Sequence, residues 1–289
     1  MFFIESDQVK VSISSKGAEL QSIFHKVFNL EYLWHGDPLY WAKHSPVLFP
    51  IVGSLKNNTY RHDGKEYNLP RHGFAREMEF SMQQQTKSMI VFVLASTDTT
   101  LQSFPFRFQF SIKYKIVEDL LRVSYNVLNI DQHEMLFSVG AHPAFKLPLV
   151  ENTLYKDYEL VFTENETAER WPISKEGLIE EHSMPFLNNT NKLSLSKELF
   201  TNDAIVLKTL KSDTISLRSE KTSHGLDFSF PLFPYLGLWA SPGADFICIE
   251  PWCGIADSTN STQELNYKEG INIIHPNGVF ERTWTVRLF

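Results

Sequence analysis

Alternation of apolar and polar residues with a period of two runs through most of the chain. Phe106, Phe108, Phe110, Ile112, Tyr114 and Ile116 alternate with Arg107, Gln109, Ser111, Lys113 and Lys115, the pattern of a strand with one buried face. It resumes after Glu118-Asp119 at Leu121, Val123, Tyr125 and Val127, which predicts a long antiparallel hairpin. Residues 9–13, 214–218 and 284–288 alternate in the same way, and short apolar runs at 90–94, 158–162, 204–207, 236–240 and 246–249 lie between clusters of Gly, Pro, Asn and Ser. Segments 38–43 and 194–200 suit one helical turn each, and no amphipathic helix or heptad competes. These elements predict an all-β fold, a large antiparallel β-sandwich, with residues 1–289 as a single domain.

Composition narrows the partners. The net charge of -7 leaves no basic stripe for nucleic acid. The first residues lack the basic and apolar regions of a secretory signal, and no apolar run reaches membrane-spanning length, so neither membrane nor secretion is expected and the expected location is cytoplasmic. Cys248 and Cys253 are the only cysteines and read as reduced thiols. Glycosylation-type tripeptides at Asn57, Asn165, Asn188 and Asn260 read as polar loops. Most of the 23 Phe, 10 Tyr and 6 Trp belong in the core, with a few near loops free to stack on a ligand.

Four segments carry candidate chemistry. In Ser138-Val139-Gly140-Ala141-His142-Pro143-Ala144-Phe145 an imidazole stands at a strand end, after a small pair that lets backbone approach a ligand and before a proline that blocks helix. Histidine is also suited to proton transfer near neutral pH. In Phe246-Ile247-Cys248-Ile249-Glu250-Pro251-Trp252 a carboxylate closes an apolar strand, where burial demands a partner or raises its proton affinity. Pro70-Arg71-His72-Gly73-Phe74-Ala75-Arg76 brackets a second imidazole with arginines, and Thr201-Asn202-Asp203 places an acid before an apolar run. A second His-Pro pair at His275 lacks the neighbours of His142 and is read as structural.

Taken in order within an all-β chain, these segments, together with Lys16-Gly17-Ala18-Glu19-Leu20-Gln21-Ser22-Ile23, resemble the aldose 1-epimerase (galactose mutarotase-like) family over nearly the full length. His-Gly-Phe-Ala-Arg points to the branch related to hexose-6-phosphate mutarotases. The resemblance implies a large β-sandwich with a sugar cleft. It implies that His142 protonates the ring oxygen of a hexose or phosphorylated hexose and that Glu250 takes the proton of the anomeric hydroxyl. His72 and Asp203 would orient the sugar, and Arg76 resembles an arginine that serves phosphorylated sugars in part of the family. The chain departs from the pattern at Ser54, where many relatives carry a sugar-contacting arginine; Lys56, Arg71 and Arg76 are the cations available to compensate. Moving protons at two oxygens calls for no metal or organic cofactor. Two other readings stand beside this one: a non-catalytic carbohydrate-binding protein on the same fold, and a metal site built from two histidines and a carboxylate, which lacks closely spaced ligand pairs. Oligomeric state is not legible in the sequence.

Overall fold

The computed structural model describes residues 1–289, and antiparallel strands carry the chain from end to end. The predicted hairpin forms as Phe108–Val117 and Leu120–Asn129, with Val117 opposite Leu120 across the two-residue turn at Glu118-Asp119. It starts two residues later than the alternation, because Pro105 has no N–H to give and the Arg107 N–H goes to the Asp131 carboxylate instead of a ladder. Phe106 is buried all the same.

The hairpin lies near the middle of a nine-stranded sheet. From one edge its order is Met184–Ser194, Tyr158–Arg170, Thr214–Ser219, Thr222–Ser229, Val279–Leu288, Leu120–Asn129, Phe108–Val117, Met89–Ala95 and Ser81–Gln85. A second, six-stranded sheet runs Ile205–Leu207, Tyr235–Trp239, Phe246–Cys253, Val139–Ala141 and Val47–Leu48, with Ala144–Lys146 also paired to Phe246–Cys253. The two sheets meet through aromatic side chains: Phe49 stacks on Phe110 at 4.6 Å between ring centres, and Phe145 meets Phe228 edge-on at 5.6 Å. One apolar core extends between them from Ile4 to Leu288. This is the all-β architecture that the alternation predicts. No helix is long and apolar enough to cross a membrane.

Several elements differ from expectation for local reasons. Phe246–Cys253 does not end before Glu250: all eight residues are buried, so the carboxylate lies inside the sheet. Segment 38–43 forms one turn, with the N–H groups of Tyr40 and Trp41 both donating to the Asp37 carbonyl. Segment 194–200 splits, Ser194 closing a strand and Lys197–Phe200 forming a 3₁₀ turn. Asn165 and Asn188 lie in paired strands, where the register slips on either side of Glu166. The short helix Asp98–Ser103 depends on the reciprocal cap between Thr97 and Thr100 rather than on an apolar stripe, so periodicity does not reveal it. Ser81–Gln85 is exposed throughout and has no buried face to show.

One polar tie joins the segments that follow Val47–Leu48 and Phe246–Cys253 to the one that holds Lys268. Lys268 Nζ donates to Asp257 Oδ1 at 2.8 Å, with both side chains only 3% exposed. The other carboxylate oxygen accepts the Lys56 N–H at 3.0 Å, and the Asp257 N–H donates to the Ser54 carbonyl at 2.9 Å. Removing the lysine strands a buried charge, so Lys268→Met is expected to cost about 3–5 kcal/mol in chemical denaturation. The double variant Lys268→Met/Asp257→Asn should recover part of that loss; equal stabilities for single and double variants would refute the account.

Candidate active site

Register brings the two principal candidates together. Gly140 pairs with Trp252, and Ala144 pairs with Cys248. Continuing that register through the break at His142-Pro143 sets His142 opposite Glu250. The break also suits Pro251, which has no N–H to donate to a ladder. Across it, His142 Nε2 lies 3.4 Å from Glu250 Oε2. Both residues are buried, at 8% and 2% exposure.

Burial acts on this pair in opposite directions. It lifts the Glu250 carboxyl well above the usual carboxylate range, and the Arg71 charge only partly offsets the effect. It pushes the His142 imidazole down to about 3, with help from Arg71 and Arg76. The pair therefore favours its neutral forms, with one proton between two facing atoms. Trp41 stacks on the imidazole at 4.9 Å and Trp239 meets it edge-on at 5.6 Å, fixing the ring from two sides. Neither tryptophan carries a sequence signal beyond lying in a turn and at a strand end.

His72 arrives from the segment after Pro70 with a left-handed backbone, φ 68°. Gly53 holds it twice: the His72 N–H donates to the Gly53 carbonyl at 2.8 Å, and the Gly53 N–H donates to Nδ1 at 3.1 Å. Gly53 itself requires φ 71°, and a Cβ there would lie 2.4 Å from the Ala256 Cβ. With Nδ1 accepting, the ring proton of neutral His72 sits on Nε2, which makes that nitrogen a donor. The ring stands edge-on to His142, 5.7 Å between centres.

These groups border a cavity of about 490 Å³, which also takes in Arg71, Arg76 and Asp203. Asp203, just before Ile205–Leu207, lies 3.8 Å from Arg71 Nη2 and accepts the Ala204 N–H. Arg76 Nη2 donates to the Arg71 carbonyl at 2.9 Å, while its buried Nε has no partner. All six residues singled out from the sequence thus line one cavity.

Ser54 is buried under the turn at Gly177: a Cβ on that glycine would come within 2.7 Å of Ser54 Oγ and 3.5 Å of Arg71 Nη1. The Arg71 guanidinium therefore reaches the neighbourhood of position 54. Lys56 does not, because its Nζ is spent on the Thr259 carbonyl at 2.8 Å. His275 lies exposed on Glu134 at 2.8 Å, outside the cavity lining.

Sequence spacing gave no close metal ligands, but folding adds Cys248, two residues before Glu250 on the same face of the strand. Ligand atoms of His142, Cys248 and Glu250 fall within 4.8 Å of one another. Burial, and next the Glu250 charge, raise the Cys248 thiol well above its ordinary range, whereas a metal requires the thiolate.

A family model for aldose 1-epimerase matches residues 2–271. The chain belongs to the aldose 1-epimerase family. It is 33% identical over 296 aligned positions to the chromosomal LacX protein of Lactococcus lactis subsp. lactis, covering 99% of this chain and 98% of that one. The crystal structure of a galactose mutarotase related enzyme from Lactobacillus acidophilus superposes with a TM-score of 0.96 at 32% identity, over 100% of this chain and 97% of that one. A galactose mutarotase-like protein from Lactobacillus casei gives 0.94 at 30% identity, with both chains fully covered. The fold is thus the galactose mutarotase-like sandwich, and family membership makes the protein an isomerase that acts on a sugar.

Burial lowers the His72 imidazole well below its ordinary range, and the His142, Arg71 and Arg76 charges add to the effect. His72 should therefore stay neutral, with Nε2 protonated, as pH falls through about 6.5, the ordinary imidazole value, in NMR of the ring nitrogens. Because the unfolded chain takes up this proton below about 6.5 and the folded chain resists it, His72 contributes stability that is lost as pH falls below that value. Protonation of His72 near 6.5 in the folded protein would contradict the assigned geometry.

Proposed function

We propose that the protein interconverts the α and β anomers of a hexose or hexose phosphate, with Glu250 as base and His142 as acid. The observation that carries the reading is their 3.4 Å approach in a buried site. The Glu250 carboxylate takes the proton of the anomeric hydroxyl while the His142 imidazolium protonates the ring oxygen, and the bond between C1 and that oxygen breaks. The aldehyde turns about its bond to C2, and the reverse steps close the ring on its other face. His72 Nε2–H donates near the ring oxygen, and Asp203 accepts from hydroxyls farther round the sugar.

Ring opening leaves Glu250 protonated and His142 neutral, the state that burial favours. One proton on the pair is required throughout. Activity is lost at low pH when His142 also takes up a proton, and at high pH when Glu250 loses its own. The alkaline limb of kcat/KM thus follows Glu250, which burial places well above the usual carboxylate range.

Arg71 and Arg76 supply positive charge at the cavity and suit a phosphorylated sugar. Arg71 also lies where it can take over sugar contact from the arginine that Ser54 replaces. A single domain in a reducing, cytoplasmic setting accords with one continuous core and two free buried thiols.

His142→Asn and Glu250→Gln are each expected to slow anomer interconversion by about 10²–10⁴-fold with the fold intact, followed by polarimetry on freshly dissolved pure anomers. Near-normal turnover in both variants would sink the assignment. Arg71→Ala and Arg76→Ala should raise KM for a hexose 6-phosphate by about tenfold or more, the worth of a lost charge-assisted hydrogen bond, with a smaller effect on the unphosphorylated hexose. Equal effects on both sugars would overturn the phosphate reading.

A further inference from the structure

We propose that the Trp252 indole is a positioning residue for Glu250, its Nε1–H closing on the carboxylate when Glu250 is ionised and so holding the charged form available as a base. The proposal rests on the reading of Glu250 as the base. Trp252 follows Glu250 by two residues on Phe246–Cys253, so both side chains rise from the same face of the six-stranded sheet.

The indole lies down on that face in a slot cut by two glycines on the flanking strands. A Cβ on Gly140, which pairs with Trp252, would lie 2.7 Å from the indole Cδ1. A Cβ on Gly237, which pairs with Glu250, would lie 2.4 Å from Cζ2 and 2.5 Å from Cη2. No other residue type leaves room for the ring at either position. Gly140, expected from the sequence to admit a ligand to the backbone, instead admits the tryptophan.

Nε1 lies between these braced ring atoms and is buried without any hydrogen-bond partner. A buried donor left unsatisfied is destabilising, so its direction within a cavity-lining ring needs an acceptor. Glu250 is the carboxylate beside it, and a donor brought onto it joins Arg71 in opposing the effect of burial by favouring the ionised form. Because burial otherwise favours the protonated acid, a fixed donor raises the fraction of enzyme carrying the base.

The test is the dependence of kcat/KM on pH in Trp252→Phe and Gly140→Ala. Phenylalanine keeps the ring but removes the donor, while a methyl group on Gly140 keeps the donor but displaces the ring. In both, Glu250 should become harder to ionise. The alkaline limb should move up by about one pH unit while the plateau falls about tenfold, since one unit of pKa is a tenfold change in ionised fraction. If Trp252→Phe folds poorly, Gly140→Ala and a carboxyl NMR titration of Glu250 read the same quantity. A fall in rate with the limb unmoved in the folded variants overturns the proposal and leaves the base assignment standing. Near-normal turnover of Glu250→Gln would instead overturn the base assignment itself.

Discussion

The site depends on one constraint of register. His142 sits in a two-residue break between strands that pair in step with the strand of Glu250 on both sides, so the two side chains meet at a buried sheet face. A slip of one residue would turn Glu250 into the apolar core and leave His142 without a partner. Eight consecutive buried residues around Glu250 make such a slip costly, because it would exchange an apolar set for a carboxylate on the core side. The approach of the proposed acid and base thus comes first from sandwich packing, which the tryptophans around them refine.

That placement also determines the energetics. An ion pair in so dry a setting is disfavoured against the neutral pair, as the opposite shifts of His142 and Glu250 indicate. A direct proton transfer across 3.4 Å would dissipate the reactive form without result. In the proposed mechanism, with a sugar between the two groups, the same transfer passes through the substrate, taking a proton at one oxygen and giving one at another. The neutral pair then coincides with the open-chain aldehyde, so the tendency that makes the charged pair scarce in the free protein stabilises the intermediate. Arg71 limits the cost by favouring the carboxylate, although it and Arg76 oppose the imidazolium.

Much of this was legible in the chain. Alternation located the central hairpin to within two residues, and a resemblance in four motifs collected all six candidate residues that border the cavity. What escaped was whatever has no period or motif. Trp41 and Trp239 clamp His142 from a turn and a strand end, and neither position differs in sequence from an ordinary core aromatic. Cys248 approaches Glu250 only because strand residues two apart share a face, and the exposed edge strand Ser81–Gln85 has no buried side to betray it. Gly140 was conspicuous, but its purpose could not be read without knowing that Trp252 lies directly across the sheet.

Specificity has a different source from chemistry in this molecule. Glu250 stands within a strand paired on both sides and His142 in the short break of its neighbour, whereas Arg71, His72 and Asp203 come from connecting segments, His72 and Asp203 with left-handed backbones. Such segments can change length and sequence without disturbing the register. Ser54 illustrates the consequence: the turn at Gly177 closes over its small side chain, and the Arg71 guanidinium comes into the same neighbourhood. That guanidinium carries Asp203 with it at 3.8 Å. A sugar bound here must satisfy both groups at once, so its preferred substituents are set by the distance between that guanidinium and the fixed His142–Glu250 pair.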